Sequence, residues 1–168
     1  FQKALAEYQA SMEYSGDFAF GRYNLGNLYA NLNQPDRAID NYRAATRIDN
    51  QFYPAKVNLA MLYNETDRKN EAEVLLREVV AAHSELHEVQ YSLGLLLAEK
   101  NKFEEAARYL SAAAAGLPQR SRVQYNLGLL LQLMKRDAEA EAALQAALEI
   151  EPGNLDYLYA LADHYLKR

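Results

Sequence analysis

The chain of 168 residues contains no cysteine and no tryptophan, and only four prolines. Without cysteine it cannot form a disulfide or a thiolate metal site, and its redox compartment is left open. The net charge is −5, from 23 acidic and 18 basic residues. Its lysines and arginines are scattered singly and form no concentrated basic face, so we predict no nucleic-acid partner.

Long apolar runs are also missing. The mean hydropathy is −0.39, and the longest apolar run, around Leu93–Ala98, is far shorter than the ~18 residues of a membrane helix. We therefore predict no membrane span, and no signal peptide is visible. Because the chain opens within the repeating pattern described next, we expect it to be cut from a longer protein, either cytoplasmic or periplasmic.

What the sequence has instead is a pattern that returns every 34 residues. This step leads from Gly26 to Ala60, Gly94 and Gly128, and each of them follows a leucine. The same step relates other positions, namely Ala38, Ala72, Ala106 and Ala140, and also Tyr42, Leu76, Leu110 and Leu144. A fixed period of this length is the signature of a solenoid.

The residues of one period, Leu25-Gly26, Tyr29, Ala38 and Tyr42, resemble the tetratricopeptide repeat (TPR). The resemblance implies an all-α fold, a right-handed superhelical solenoid of antiparallel helix pairs. The chain departs from the family pattern at two kinds of position. The aromatic residue expected before each Leu-Gly is replaced by Arg22, Lys56, Gln90 and Gln124, and the turn glycine by Asn33, Asp67, Asn101 and Lys135.

In this register the chain divides into one continuous array. We predict the second helix of a truncated repeat at 1–18, complete repeats at 19–52, 53–86, 87–120 and 121–154, and the first helix of a further truncated repeat at 155–168. The small residues should let the two helices of a pair approach closely. Asn and Asp tolerate the left-handed backbone conformation, so the turns should survive the loss of glycine.

The first helices of such repeats line a concave surface, as the resemblance implies. Three positions around each Leu-Gly pair share that face. The predicted peptide-binding groove comprises Tyr23, Asn24, Asn27, Val57, Asn58, Met61, Tyr91, Ser92, Leu95, Tyr125, Asn126, Leu129 and Tyr159. Because an amide both donates and accepts hydrogen bonds, a row of asparagines can hold an extended peptide backbone. The alternative is that these asparagines are family consensus on a solvated face and bind nothing specific.

The family's clamp for the acidic C-terminal tails of chaperones is missing. It needs lysine where this chain has Tyr23, and a lysine and an arginine where it has Glu88 and Ser92. Glu88 would repel a carboxylate, so we predict that the ligand is not a chaperone tail. The charged concave positions are mostly acidic, which favours a neutral or basic ligand. The acidic ones are Glu65, Glu88, Glu99, Asp156 and Asp163, and the basic ones are Arg122 and Lys167.

No pattern indicates catalysis. His83 and His87 have the spacing of a zinc-protease helix, but Ser84 stands where the glutamate is required. His164 occupies a column of leucines and is expected to be a packing residue, and each glycine stands alone, so no phosphate-binding loop is present. We predict no catalytic, metal-binding or cofactor-binding residue. The predicted function is a non-catalytic protein–protein interaction scaffold.

Two alternatives remain open. In the first, the chain is a self-association module that forms a homo-oligomer through its truncated ends, since Phe1, Leu5 and Tyr8 belong to a helix without a first-helix partner. In the second, it is the substrate-recruiting repeat region of a larger enzyme.

Overall fold

A computed structural model of the protein describes residues 2–15 and 18–167. Phe1 and Arg168, at the ends of the two predicted truncated repeats, and Gly16 and Asp17 lie outside the described residues. The described part contains ten α-helices and no strand, which confirms the predicted all-α class. They are α1 (Gln2–Ser15), α2 (Ala19–Asn31), α3 (Pro35–Ile48), α4 (Tyr53–Glu65), α5 (Lys69–Ala82), α6 (His87–Glu99), α7 (Phe103–Gly116), α8 (Ser121–Leu133), α9 (Asp137–Ile150) and α10 (Leu155–Lys167).

The period of the sequence is also the period of the helices. The even-numbered helices, α2 to α10, begin at residues 19, 53, 87, 121 and 155, and the odd-numbered helices, α3 to α9, begin at 35, 69, 103 and 137. Each step is 34 residues in both series. Pro35 opens α3, where the N–H that proline lacks would have no partner within the helix.

The chain forms two compact units, Phe1–Val79 and Val80–Arg168, whose boundary falls within α5. In the first unit α1 packs on α2, α2 on α3, and α3 on α4. In the second unit α6 packs on α7, α7 on α8 and α8 on α9, and α10 packs on both α9 and α8. Within each unit, most of these contacts join helices that are neighbours in the chain.

The small residues lie where paired helices are closest. Gly26 of α2 lies directly against the ring of Tyr42 of α3. A Cβ added to Gly128 of α8 would stand 2.7 Å from Cγ of Leu144 of α9. The alanines opposite these positions, Ala38, Ala72, Ala106 and Ala140, have no exposed surface. The expected close approach through small side chains is confirmed.

Each turn within a helix pair has one residue in the left-handed region. The φ angles are 55° at Asn33, 59° at Asp67, 58° at Asn101 and 58° at Lys135. Two backbone hydrogen bonds close each turn; at Asn33 they run from its N–H to Ala30 O and from the next N–H to Tyr29 O, both at 2.9 Å. This is the Schellman ending of a helix, so the turns form without glycine, as expected.

Candidate functional site

The predicted groove residues of the first unit lie on α2 and α4. Tyr23, Asn24, Val57 and the two asparagines Asn27 and Asn58 are half-buried. Met61, one turn along α4, is 50% exposed. Tyr23 also packs edge-on against Phe52, with ring centroids 5.4 Å apart. This ring is therefore part of an aromatic cluster as well as of the groove face.

A hydrogen-bonded triad joins three helices at this face. Asn58 Nδ2 donates to Asn27 Oδ1 at 2.7 Å, and the Tyr42 hydroxyl donates to the same oxygen at 2.8 Å. Asn27 and Asn58 come from α2 and α4, and Tyr42 reaches them from α3. The amides are thus held in place before any ligand arrives.

Sequence reasoning used Tyr42 only as part of the repeat pattern and missed its polar end. Tyr42 is only 3% exposed, but its ring lies over Gly26, and the absence of a side chain there lets the hydroxyl extend to Asn27. The signal was present in the sequence, because the equivalent positions of the three following complete repeats carry leucine: Leu76, Leu110 and Leu144.

Burial raises the pKa of the Tyr42 hydroxyl above its ordinary value. The hydrogen bond with Asn58 lowers it in part, and the charges that Tyr23 and Glu65 can carry raise it further. A tyrosine is protonated at neutral pH even at its ordinary pKa of about 10, so Tyr42 is a hydrogen-bond donor to Asn27 there.

The triad forms one wall of an open cavity of ≈ 470 Å³, which we call the α2–α4 pocket. It is lined by Asn27, Ala30, Asn31, Tyr42, Asn58, Met61, Leu62 and Glu65. Its volume lies within the range of ligand pockets, and a few convergent polar groups stand among apolar ones.

The second unit places its groove residues on α6, α8 and α10. Asn126 Nδ2 donates to the Tyr91 hydroxyl at 2.6 Å, while the hydroxyl of Ser92 donates to the backbone oxygen of Glu88 within α6 at 3.0 Å. Leu95 is half-buried, and Leu129 is 37% exposed.

Two further tyrosines of the second unit differ in their surroundings. Tyr125 packs against the buried Tyr157 with ring centroids 4.7 Å apart. Tyr159 is 72% exposed. Of these two predicted groove tyrosines, Tyr159 therefore has most of its ring open to a ligand, whereas Tyr125 is partly used in packing.

Charges around Tyr91 are paired with one another. Glu88 forms an ion pair with Arg120, and the Arg120 guanidinium lies 5.9 Å from the centre of the Tyr91 ring. Burial raises the pKa of Tyr91, while the Asn126 amide and the charges of Arg122 and Arg120 lower it in part. The carboxylate at Glu88 is thus partly neutralised.

A second cavity, ≈ 390 Å³, lies against α8 and α10. It is lined by Leu129, Gln132, Leu133, Lys135, Asp137, Asp163, His164 and Lys167. Lys167 and Asp163 pair at 2.5 Å. His164 is 4% exposed, in agreement with a packing role, and its Nε2 atom is buried without a hydrogen-bond partner in the described part of the chain.

The histidine pair singled out in the sequence does not share a helix. His83 follows the end of α5, and His87 begins α6, where its ring packs against Gly116 and its Nδ1 lies 3.1 Å from Gln90 Oε1. Among residues 2–15 and 18–167 no group of three or more metal-ligating side chains could hold an ion. In the same ranges no helix has the length and apolar content needed to cross a membrane.

Comparison with solved structures gives matches along most of the chain. YrrB, a TPR protein with an unusual peptide-binding site, is 22% identical with a TM-score of 0.85, covering 95% of this chain and 82% of its own. MamA is 21% identical with a TM-score of 0.81, and the match covers 89% of this chain and 87% of MamA. PilF of Pseudomonas aeruginosa is 27% identical with a TM-score of 0.77, and the match covers 89% of this chain and 68% of PilF. The likeness to YrrB and MamA is one of fold.

No curated protein sequence matches the chain. Two family models, both of the tetratricopeptide repeat, match residues 32–94 and residues 91–154. Together they span more than half of the chain. With the paired helices, their 34-residue step and the small residues at each close approach, these matches show that the chain belongs to the tetratricopeptide repeat family.

Proposed function

We propose that the chain is a non-catalytic interaction module with repeats at 19–52, 53–86, 87–120 and 121–154. The first helices of each unit, α2 and α4 in one and α6 and α8 in the other, would bind a peptide or an extended protein segment. Tetratricopeptide repeat proteins bind protein or peptide partners, and YrrB is one with a peptide-binding site. The observation that carries the proposal is the triad of Tyr42, Asn27 and Asn58 at the wall of the α2–α4 pocket.

Preorganisation is the mechanism. A side chain that is already fixed loses little conformational entropy when a ligand binds, so each contact contributes more to affinity. Asn27 is fixed by two hydrogen bonds, and Asn126 of the second unit is fixed by Tyr91. An extended chain carries alternating N–H and C=O groups, and the asparagine amides match both.

The charges of the pocket favour a neutral or basic segment. Glu65 is the one ionisable carboxylate among the residues that line the α2–α4 pocket, and none of those lining residues is basic. A ligand that ends in a carboxylate, such as a chaperone tail, would meet no positive charge there.

Selection from a library of random peptides, followed by affinity measurements, tests the proposal. We expect Asn58→Ala and Asn126→Ala each to weaken binding of a selected peptide by about 0.5–1.5 kcal/mol, the usual worth of one hydrogen bond. The matched control is Asn50→Ala, because Asn50 is exposed in the turn before α4. Equal affinity for all three variants and the unaltered chain would contradict the proposal.

A further inference from the structure

At the wall of the α2–α4 pocket, the joined amides of Asn27 and Asn58 leave a donor and an acceptor unused. The oxygen of the Asn27 amide already accepts hydrogen bonds from Tyr42 and Asn58. Its nitrogen, Nδ2, and the oxygen of Asn58, Oδ1, have no partner in the described part of the chain. Because the two amides are joined at 2.7 Å, the free N–H of Asn27 and the free oxygen of Asn58 belong to one rigid unit.

This pair suits the N–H and C=O of one residue in an extended chain, which point to the same side of that chain. A ligand carbonyl can accept from Asn27 Nδ2, and a ligand N–H can donate to Asn58 Oδ1. When the backbone of a ligand replaces water at Asn27 and Asn58, a peptide can bind whatever its side chains are. It does not by itself select among sequences, so any selectivity must come from the rest of the lining.

Glu65 is the selective element of that lining. It is exposed at the end of α4 and lines the pocket, yet it forms no ion pair within the described residues. Two other exposed glutamates are neutralised at close range, since Glu71 pairs with Arg68 and Glu139 pairs with Arg136, each at 2.6 Å. Glu65 therefore offers an uncompensated negative charge to a ligand.

The neighbour of Glu65 along the pocket is Met61, which is 50% exposed. A lysine or arginine side chain has an apolar stem and a charged end. Its stem would cover Met61 while its charge reaches Glu65. A glutamate in the ligand would be repelled, and an apolar side chain would leave Glu65 unpaired.

We propose that the α2–α4 pocket binds an extended peptide segment bearing a lysine or arginine, with the C=O and N–H of one ligand residue paired to Asn27 and Asn58 and the basic side chain held by Glu65. This rests on the proposed function, which it deepens by naming the selected side chain.

The probes are three short acetylated and amidated alanine peptides that differ at a central residue, which is lysine, norleucine or glutamate. Each is titrated into the isotope-labelled full chain at physiological salt, and the side-chain amide signals of Asn27 and Asn58 are followed by NMR. We expect the lysine peptide to bind about fivefold more tightly than the norleucine peptide, as for a partly exposed ion pair, and the glutamate peptide to bind more weakly than both.

Two variants that remove the same charge separate local from long-range effects. Glu65→Gln should abolish the preference for lysine and leave the affinity for the norleucine peptide nearly unchanged. Glu149→Gln, an exposed site on α9, should keep the preference.

The outcomes also separate this inference from the proposed function. If the lysine and norleucine peptides bind equally, or if Glu149→Gln abolishes the preference as well, the role of Glu65 is wrong while peptide binding stands. If no peptide shifts the Asn27 and Asn58 signals, peptide binding at this pocket and the role of Glu65 are both wrong.

Discussion

The Tyr42 hydroxyl gives the α2–α4 pocket a fixed polar centre. At the position of Tyr42, the helices α5, α7 and α9 have leucine, and a leucine has no atom that can donate a hydrogen bond. Among α3, α5, α7 and α9, only α3 therefore carries a hydroxyl at this position. The site is built by a core residue whose far end emerges at the surface.

Backbone strain is also a property of single residues. Lys135 has φ 58°, a conformation that costs a non-glycine residue roughly 1–2 kcal/mol and that asparagine tolerates better. Lys135 is exposed, so replacing it removes little packing. Its conformation is fixed by the helix-end hydrogen bonds from its N–H to Gln132 O at 3.0 Å and from Arg136 N–H to Leu131 O at 2.9 Å.

We expect Lys135→Gly to raise the free energy of unfolding by about 1 kcal/mol, because glycine adopts positive φ without steric cost. The control is Asn101→Gly, at the same φ of 58°, and its free energy of unfolding should rise by less. Urea unfolding of the two variants measures both values. A gain at Asn101 as large as that at Lys135 would show that strain at lysine is not the cause.

At the scale of elements, much was predictable from the sequence. The all-α class, the turns at Asn33 and Asp67 and the contact through Gly128 all follow from local chemistry repeated at a fixed step. Repetition made these predictions strong, since one interpretation had to suit several copies. What is not repeated was not predictable, because it depends on which side chains meet across helices.

The junction of α8, α9 and α10 is such a case. Ser121, at the start of α8, is 5% exposed. Its hydroxyl donates to Glu151 Oε1 at 2.5 Å and lies 3.2 Å from the Tyr157 hydroxyl. These residues are 30 and 36 positions from Ser121 along the chain, and no local pattern brings them together.

Hydrogen bonds from Ser121 and then from Asn154 lower the pKa of Glu151 below its usual value. A carboxylate with a lowered pKa in the folded state stabilises the fold above its unfolded pKa of about 4.3. That stabilisation is lost as the pH falls through the lowered value.

We therefore expect Ser121→Ala to lower the melting temperature at neutral pH. The difference from the unaltered chain should shrink in acid, where Glu151 is protonated in both proteins. Melting curves recorded from neutral pH down through the titration of Glu151 give this profile. Ser111→Ala, at an exposed serine of α7, should show no such dependence, and a pH-independent loss for Ser121→Ala would argue against the role of Glu151.

At the scale of the whole molecule, stability should be distributed and not concentrated in one core. Each compact unit has its own buried apolar residues, with Leu59 and Leu76 in the first and Leu93, Leu110 and Leu144 in the second. Helices pack mainly on their chain neighbours. In repeat proteins this arrangement makes stability a sum of local terms, so a local defect need not unfold the whole chain.

Gly128→Ala tests this distribution. The added Cβ would stand 2.7 Å from Leu144 Cγ, and overpacking of this kind costs roughly 1–3 kcal/mol. We expect native-state amide hydrogen exchange to accelerate most in α8 and α9 and much less in α2 and α3, because the added methyl group strains one helix pair directly. Gly153→Ala is the control, since nothing lies within 4 Å of its added Cβ, and it should leave exchange unchanged. Equal acceleration in all four helices would mean that the chain unfolds as one cooperative unit, and the additive account of its stability would then be wrong.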